Sequence, residues 1–188
     1  GKKLLKSGEN FLLEDSKRKE VMKKDTAKKV FYYKRDLYPK YLKYGNANVF
    51  IEPFAKYFCK GKGLDIGGFF KCTFPGAKPI NILNNDGFDA HHLPEEKYDY
   101  IFSSHTLEHL HDYVGALEYW KKHLRKGGVL FLYLPHPDME YWLPQNNRKH
   151  LHSFYPGDIH KLLEDLGFKY VLHSERDFYW SFVIVGIL

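Results

Sequence analysis

The stretch GKGLDIGGFF, residues 61–70, holds the residue types for close approach of a ligand to backbone: an apolar run, a carboxylate at Asp65 and paired glycines at Gly67 and Gly68. Its spacing, Gly61-x-Gly63-x-x-x-Gly67-Gly68, is not the G-x-G-x-x-G of a dinucleotide turn, so a pyrophosphate seated on a helix N-terminus is poorly supported. Histidine has the unperturbed pKa best matched to proton transfer near neutral pH. Of eleven histidines, His105 directly follows the apolar run ending Phe102-Ser103-Ser104, where strand ends meet ligands in open α/β sheets. His109 falls one helical turn later beside Glu108, a placement that suits substrate contact or support of a helix start. Residues 135–156, PHPDMEYWLPQNNRKHLHSFYP, are too long and aromatic for a simple connector. There Tyr141, Trp142 and Tyr155 offer flat faces to a sugar ring or similar acceptor, and His136, Asp138, His150 and His152 add polar groups. These four are metal-ligand types without the spacing of a known motif, so no metal is expected.

The elements that must position these residues follow from composition and periodicity. The 188 residues, 44% hydrophobic and 28% charged, suffice for one globular domain with a substantial core. No run approaches the ~20 apolar residues of a membrane span, and the lysine-rich start lacks the apolar run of a signal peptide. Cys59 and Cys72 are too few for a disulfide framework, and a reducing cytoplasm is the expected compartment. Residues 1–45 hold 14 Lys and Arg against 6 Asp and Glu, whereas the remainder is slightly acidic. That arm reads as a solvated helical face or as a contact for nucleic acid or an anionic membrane surface.

Helices are predicted over 18–33 and 47–59, the second with Val49, Phe50, Phe54, Tyr57 and Phe58 on one face that packs the arm against a sheet. From Lys62 onward strand-like and helix-like segments alternate: strands at 63–67, 80–84 and 98–103, then a helix at 112–125 capped by Lys126-Gly127-Gly128. The run VLFLYLP, 129–135, predicts a central buried strand. A helix at 157–166, stopped at Gly167, and an antiparallel pair at 168–174 and 179–188 complete an α/β domain. The expected organisation is a basic, aromatic-rich helical arm over 1–60 packed on a domain over 61–188.

GLDIGG, DAHHLP, the block from Tyr98 to Pro135 containing SSHTLEHL and GALEYW, and LHSFYPGDIHKLLEDLGF occur in the order found in class I S-adenosylmethionine-dependent methyltransferases. Residues 61–188 resemble that family, and most of all the methyltransferase domains associated with polysaccharide and glycan biosynthesis. The resemblance implies a Rossmann-like, mostly parallel sheet with an antiparallel C-terminal strand and helices on both faces. It implies S-adenosyl-L-methionine as cofactor and S-adenosyl-L-homocysteine as product. Asp65 and Gly67 would hold the methionine portion, with Gly68 clearing space. Asn84 would meet the ribose, Asp89 and the Ala90 backbone the adenine, and Ser103 the end of the third strand. His105 would be the base toward a hydroxyl acceptor, with His109, His136, Tyr141, Trp142 and His152 around the substrate.

The chain departs from the family at three places: Phe69 stands where a further glycine is usual, Asn84 where an acid is usual, and only NDGF separates the second strand from Asp89. The domain is therefore expected to be trimmed between strands two and three. The implied activity is O-methylation of a small molecule or sugar or glycan precursor. The alternatives are a scaffold of the same fold with weak or no cofactor binding, and an RNA methyltransferase using the basic arm.

Overall fold

The computed structural model describes residues 30–39, 47–69 and 73–188, and the chain divides into two compact units, 1–46 and 47–188. In the first unit β1 (Val30–Tyr33) and β2 (Asp36–Pro39) pair antiparallel, with Val30 opposite Pro39 and Tyr33 opposite Asp36. The helix expected over 18–33 thus gives way to a strand at its last four residues. Their β-branched and aromatic side chains favour a pleated ladder, Lys34 turns the chain at φ 52°, and the Phe31 and Tyr38 rings meet at 5.7 Å across the pair. Residues 18–29, and with them the rest of that helix and most of the basic arm, lie outside the described residues.

The second unit opens with α1 (Asn48–Phe58). Its buried face differs from the expected aromatic stripe: Ile51 and Ala55 turn inward, while Val49, Phe54 and Tyr57 are 45%, 41% and 59% exposed. Small Ala55, with no accessible surface, lets the helix lie close to the sheet, and Phe54 and Phe58 reach Phe131 from the rim at 6.2 and 6.1 Å between ring centroids.

The sheet contains β3 (Gly63–Ile66), β4 (Ala77–Ile80), β5 (Tyr98–Ser104), β6 (Leu124–Pro135), β7 (Tyr170–His173) and β8 (Ser181–Ile187). Two helices are interleaved, α2 (Tyr113–His123) and α3 (Pro156–Asp165). Its spatial order is β4-β3-β5-β6-β8-β7. The first four strands in that order run parallel, and β8 is antiparallel to both its neighbours. Alternation along β6 explains its continuous apolar reading. Leu130, Leu132 and Leu134 join a core with Ala116, Leu117 and Trp120 of α2 and Ile159 and Leu163 of α3. Phe131 and Tyr133 join the opposite core with Ile51 and Ala55 of α1. Both faces of this strand are covered, as parallel sheets require.

Two boundaries move. The second sheet strand ends at Ile80, not Asn84: Asn81 accepts a hydrogen bond from Leu83 N at 3.0 Å and starts a 3₁₀ turn over Ile82–Asn84, whose Ile82 and Leu83 are 72% and 62% exposed. An apolar pair with nothing to pack against gains little by continuing the strand. Helix α2 ends at His123, two residues earlier than expected, because Leu124 already pairs with Tyr98. Gly127 and Gly128 then bond the chain end rather than capping the helix: Gly127 N donates to Leu188 O and Leu188 N to Gly128 O, at 2.8 and 3.0 Å. The trimming is as expected, since residues 81–97 contain only that 3₁₀ turn and an isolated Asp89–His92 bridge between β4 and β5. Among the described residues no helix is long and apolar enough to cross a membrane.

Candidate active site

At the carboxyl ends of β3, β4 and β5 the chain forms an open cavity of about 230 Å³, lined by Ile66, Gly67, Ile80, Asn81, Ile82, Asp89, Ala90, His91, Thr106 and Leu110. This is where ligands bind in open α/β sheets. Gly67 makes the turn at φ 96°, its N–H donates to Ile80 O at 2.8 Å, and Asn81 Nδ2 donates to its carbonyl at 3.0 Å. A β-carbon at Gly67 would lie 1.8 Å from Thr106 Oγ1, so the position requires glycine on two counts. Asp89 accepts from His91 N at 2.7 Å and shares both backbone bonds of the bridge with His92. Trp120 of α2 donates from Nε1 to Ala90 O at 2.7 Å and ties this short loop to the core.

Gly67, Asp89 and Ala90 thus line one cavity. Asp65, Gly68, Asn84 and Ser103 lie behind its wall. Ser103 is fully buried and donates to Ile66 O at 2.8 Å, locking β5 to β3. Asn84 donates to Pro79 O at 3.4 Å, and Asn81 takes the place at the strand end. The Asp65 side chain is on the α1 side of the sheet, where it accepts from Phe74 N at 2.6 Å. A β-carbon at Gly68 would lie 2.6 Å from that carboxyl, so the second glycine makes room for Asp65.

Burial raises the Asp65 pKa to about 7, against the lowering effect of the Phe74 N–H. An unfolded-chain aspartate titrates near 4. Between these values the folded protein keeps a proton that the unfolded chain has released, so this group's contribution to stability is full below about pH 4 and is lost as pH rises through 7. Asp65→Asn is expected to remove that dependence. In urea unfolding at pH 5 and pH 8, the parent should lose about 2 to 3 kcal/mol more than the variant between the two. Equal losses would mean that Asp65 is already ionised at pH 5.

His105 follows β5 at φ 48°, and its ring lies edge-on to Trp142 at 4.9 Å between centroids. Its Nε2 is 2.9 Å from Ser181 Oγ. Burial, reinforced by His150 and His109, pushes its pKa down to about 3. Glu108, in the 3₁₀ turn Leu107–His109, has no accessible surface, and burial raises its pKa to about 8. The loop of 136–155 is strapped to this turn: Leu151 N and His152 N donate to Glu108 O at 2.8 and 3.3 Å, and His152 Nε2 to Leu110 O at 2.9 Å. Met139, Trp142, His150 and Phe154 anchor the loop by turning inward, all buried.

His109 and Trp142 are therefore brought to His105. The other two histidines assigned to substrate are committed to their own surroundings. His136 accepts from Asp138 N at 3.2 Å and meets Tyr155 and Phe182 edge-on, while His152 packs against Tyr113 and Phe154. Tyr141 is half-buried in a 3₁₀ turn over Glu140–Trp142. The residues that sequence reasoning passed over are Asn81, Thr106, Leu110 and Glu108. For Asn81 the signal was Pro79, which marks an edge strand and favours an early stop. For Glu108 it was the spacing His105-x-x-Glu108-His109, which puts three polar side chains on neighbouring positions of one tight turn.

The order and directions of the strands are those of the methyltransferase Rossmann-like fold. Residues 34–173 match the family model for a methyltransferase domain, and the chain belongs to that family of enzymes. Solved structures agree in fold. A SAM-dependent methyltransferase from Archaeoglobus fulgidus aligns at 16% identity and TM-score 0.57, over 75% of this chain and 92% of that one. A SAM-dependent methyltransferase from Thermotoga maritima aligns at 17% identity and TM-score 0.60, over 78% and 90%. Human N-acetylserotonin methyltransferase in complex with SAM aligns at 17% identity and TM-score 0.51, over 67% of this chain and 47% of that one. No curated protein matches this chain.

Proposed function

We propose that the cavity beneath Gly67 seats S-adenosylmethionine and that the protein transfers its methyl group to a hydroxyl of a small molecule or of a sugar or glycan precursor. The cavity itself carries this reading. Its walls of Ile66, Ile80, Ile82 and Leu110 suit a purine, Asn81 and Asp89 supply polar groups, and among the described residues neither lysine nor arginine lines it, as befits a nucleoside ligand without phosphate. We assign Asn81 to the ribose hydroxyls and Asp89 to the adenine amino group. Asp65 and Gly68 act one step back, by shaping the turn.

Methyl transfer is a displacement at carbon, so alignment of acceptor and methyl supplies most of the acceleration. The bound cofactor supplies an activated methyl on a sulfonium. The chain's own residues orient it, exclude water and hold the acceptor. His105, neutral and depressed to about 3, is a weak base, and we assign the acceptor side to Trp142 beside it, with Tyr141 of the same turn. That a small-molecule methyltransferase such as the human N-acetylserotonin enzyme shares the fold is consistent with this acceptor class.

Calorimetric titration with S-adenosylmethionine and S-adenosylhomocysteine tests the reading. The parent is expected to bind in the micromolar range, and Asn81→Ala and Asp89→Ala each to bind about 10-fold more weakly, the loss of one hydrogen bond at about 1.4 kcal/mol. No binding at millimolar ligand would overturn it in favour of a scaffold. Support would lead to a screen of hydroxyl-bearing glycan precursors as acceptors.

A further inference from the structure

We propose that Glu108, His109 and His150 form a binding site for a divalent transition-metal ion of the zinc class. They present ligand atoms that all lie within 4.8 Å of one another, and among the described residues no other such group occurs. Three imidazole nitrogens surround a single oxygen, Glu108 Oε1: His109 Nε2 at 3.7 Å, His105 Nδ1 at 3.9 Å and His150 Nε2 at 4.0 Å. These separations are too long for hydrogen bonds. They exceed by only about half an ångström the spacing of neighbouring ligands on a tetrahedral ion with bonds of about 2.0 to 2.1 Å.

The protonation pattern sharpens the case. His109 Nδ1 is 2.6 Å from Lys149 O; a carbonyl only accepts, so Nδ1 carries the hydrogen and Nε2 turns a lone pair toward Glu108. His105 Nε2 lies 2.9 Å from Ser181 Oγ, a hydroxyl able to donate or to accept there. Neither carboxylate oxygen of Glu108, buried with no accessible surface, accepts a hydrogen bond from another residue. A buried carboxyl group with no hydrogen-bond partner among imidazole nitrogens is costly, and a cation taking the place of its proton would satisfy it. The His109 bond to Lys149 O is of the kind that fixes ring orientation and tautomer in a metal-ligating histidine.

Two imidazoles and one carboxylate select zinc, cobalt, nickel or iron over magnesium and calcium, which prefer all-oxygen shells. His109, 37% exposed at its side chain, provides the way in. The site occupies the same turn as Thr106 and Leu110, which line the cavity. It requires nothing of the cofactor reading, and the two can fail separately.

The test uses the full chain after treatment with a chelator. Zinc chloride is titrated calorimetrically, and cobalt chloride is followed by the visible absorption of tetrahedral cobalt. Because Glu108 and His150 are buried, the main variant is His109→Ala, with circular dichroism to confirm folding. His173→Ala serves as control, since His160 and His173 form an exposed histidine pair, 2.8 Å between Nδ1 atoms, that could bind zinc adventitiously. The parent is expected to take up one ion with a tetrahedral cobalt spectrum, His109→Ala to bind at least about 100-fold more weakly, and His173→Ala to match the parent. Loss of binding in His173→Ala with retention in His109→Ala would overturn the proposal, as would absence of a one-to-one complex in the parent.

Discussion

Gly67→Ala is expected to abolish cofactor binding and to destabilise the fold by about 3 kcal/mol. Two costs combine. The backbone at φ 96° lies where a side chain is strained, worth about 1 to 3 kcal/mol. The new methyl would also sit 1.8 Å from Thr106 Oγ1, so the Thr106 side chain or the turn must move. The turn is not free to do so, because Gly67 N–H is bonded to Ile80 and its carbonyl to Asn81. Either displacement alters the cavity, since Gly67, Ile80, Asn81 and Thr106 all line it. Gly76→Ala isolates the backbone cost: its φ is 85°, with nothing within 4 Å of the added carbon. Urea midpoints should therefore fall further for Gly67→Ala than for Gly76→Ala, and Gly67→Ala combined with Thr106→Ala should recover part of the difference. Equal midpoints for the two glycine variants would show that Thr106 yields at no cost.

Trp120→Ala should cost about 3 to 5 kcal/mol, the range for removing a large aromatic side chain from a core. Trp120 has no accessible surface and packs in the core beneath α2 and α3. Its second effect is local. Loss of the Nε1 bond to Ala90 O releases the loop that carries Asp89, and with it one wall of the cavity. Trp120→Phe separates the two, keeping most of the packing while losing the bond. It is expected to cost about 1 to 2 kcal/mol and to weaken S-adenosylmethionine binding by about 10-fold, measured by unfolding and by calorimetry. Unchanged affinity in Trp120→Phe would mean that the Asp89–His92 bridge holds the loop unaided.

The sheet was legible in the sequence because its signals are local. β3, β5 and β6 are short apolar runs ended by turn residues, and their two-sided burial follows from a covered parallel sheet. The roles of Gly67, Asp89 and Ala90 came from the family resemblance; these residues lie on a sharp turn and a short polar bridge, both built from neighbours in the chain. Helix α1 was legible as a helix but not in its buried face. A run with aromatics at nearly every position reads apolar on several sides, and only the sheet surface selected Ile51 and Ala55 for close approach.

Local sequence by itself determined the element types from Asn48 onward, the glycine turn and the shortened crossing between β4 and β5. Tertiary structure decided which polar groups meet. Asn81 replaced Asn84 at the strand end because the Ile82–Leu83 pair found no packing partner. Asp65 turned away from the cavity because strand alternation sent Leu64 and Ile66 to the opposite face. Glu108 met three histidines because backbone bonds to its carbonyl carried residues 150–152, some forty positions along the chain, against one tight turn. Such a meeting depends on contacts distant in sequence and on burial that no local pattern encodes. The chemistry of the Glu108 turn therefore emerges only when the chain is folded.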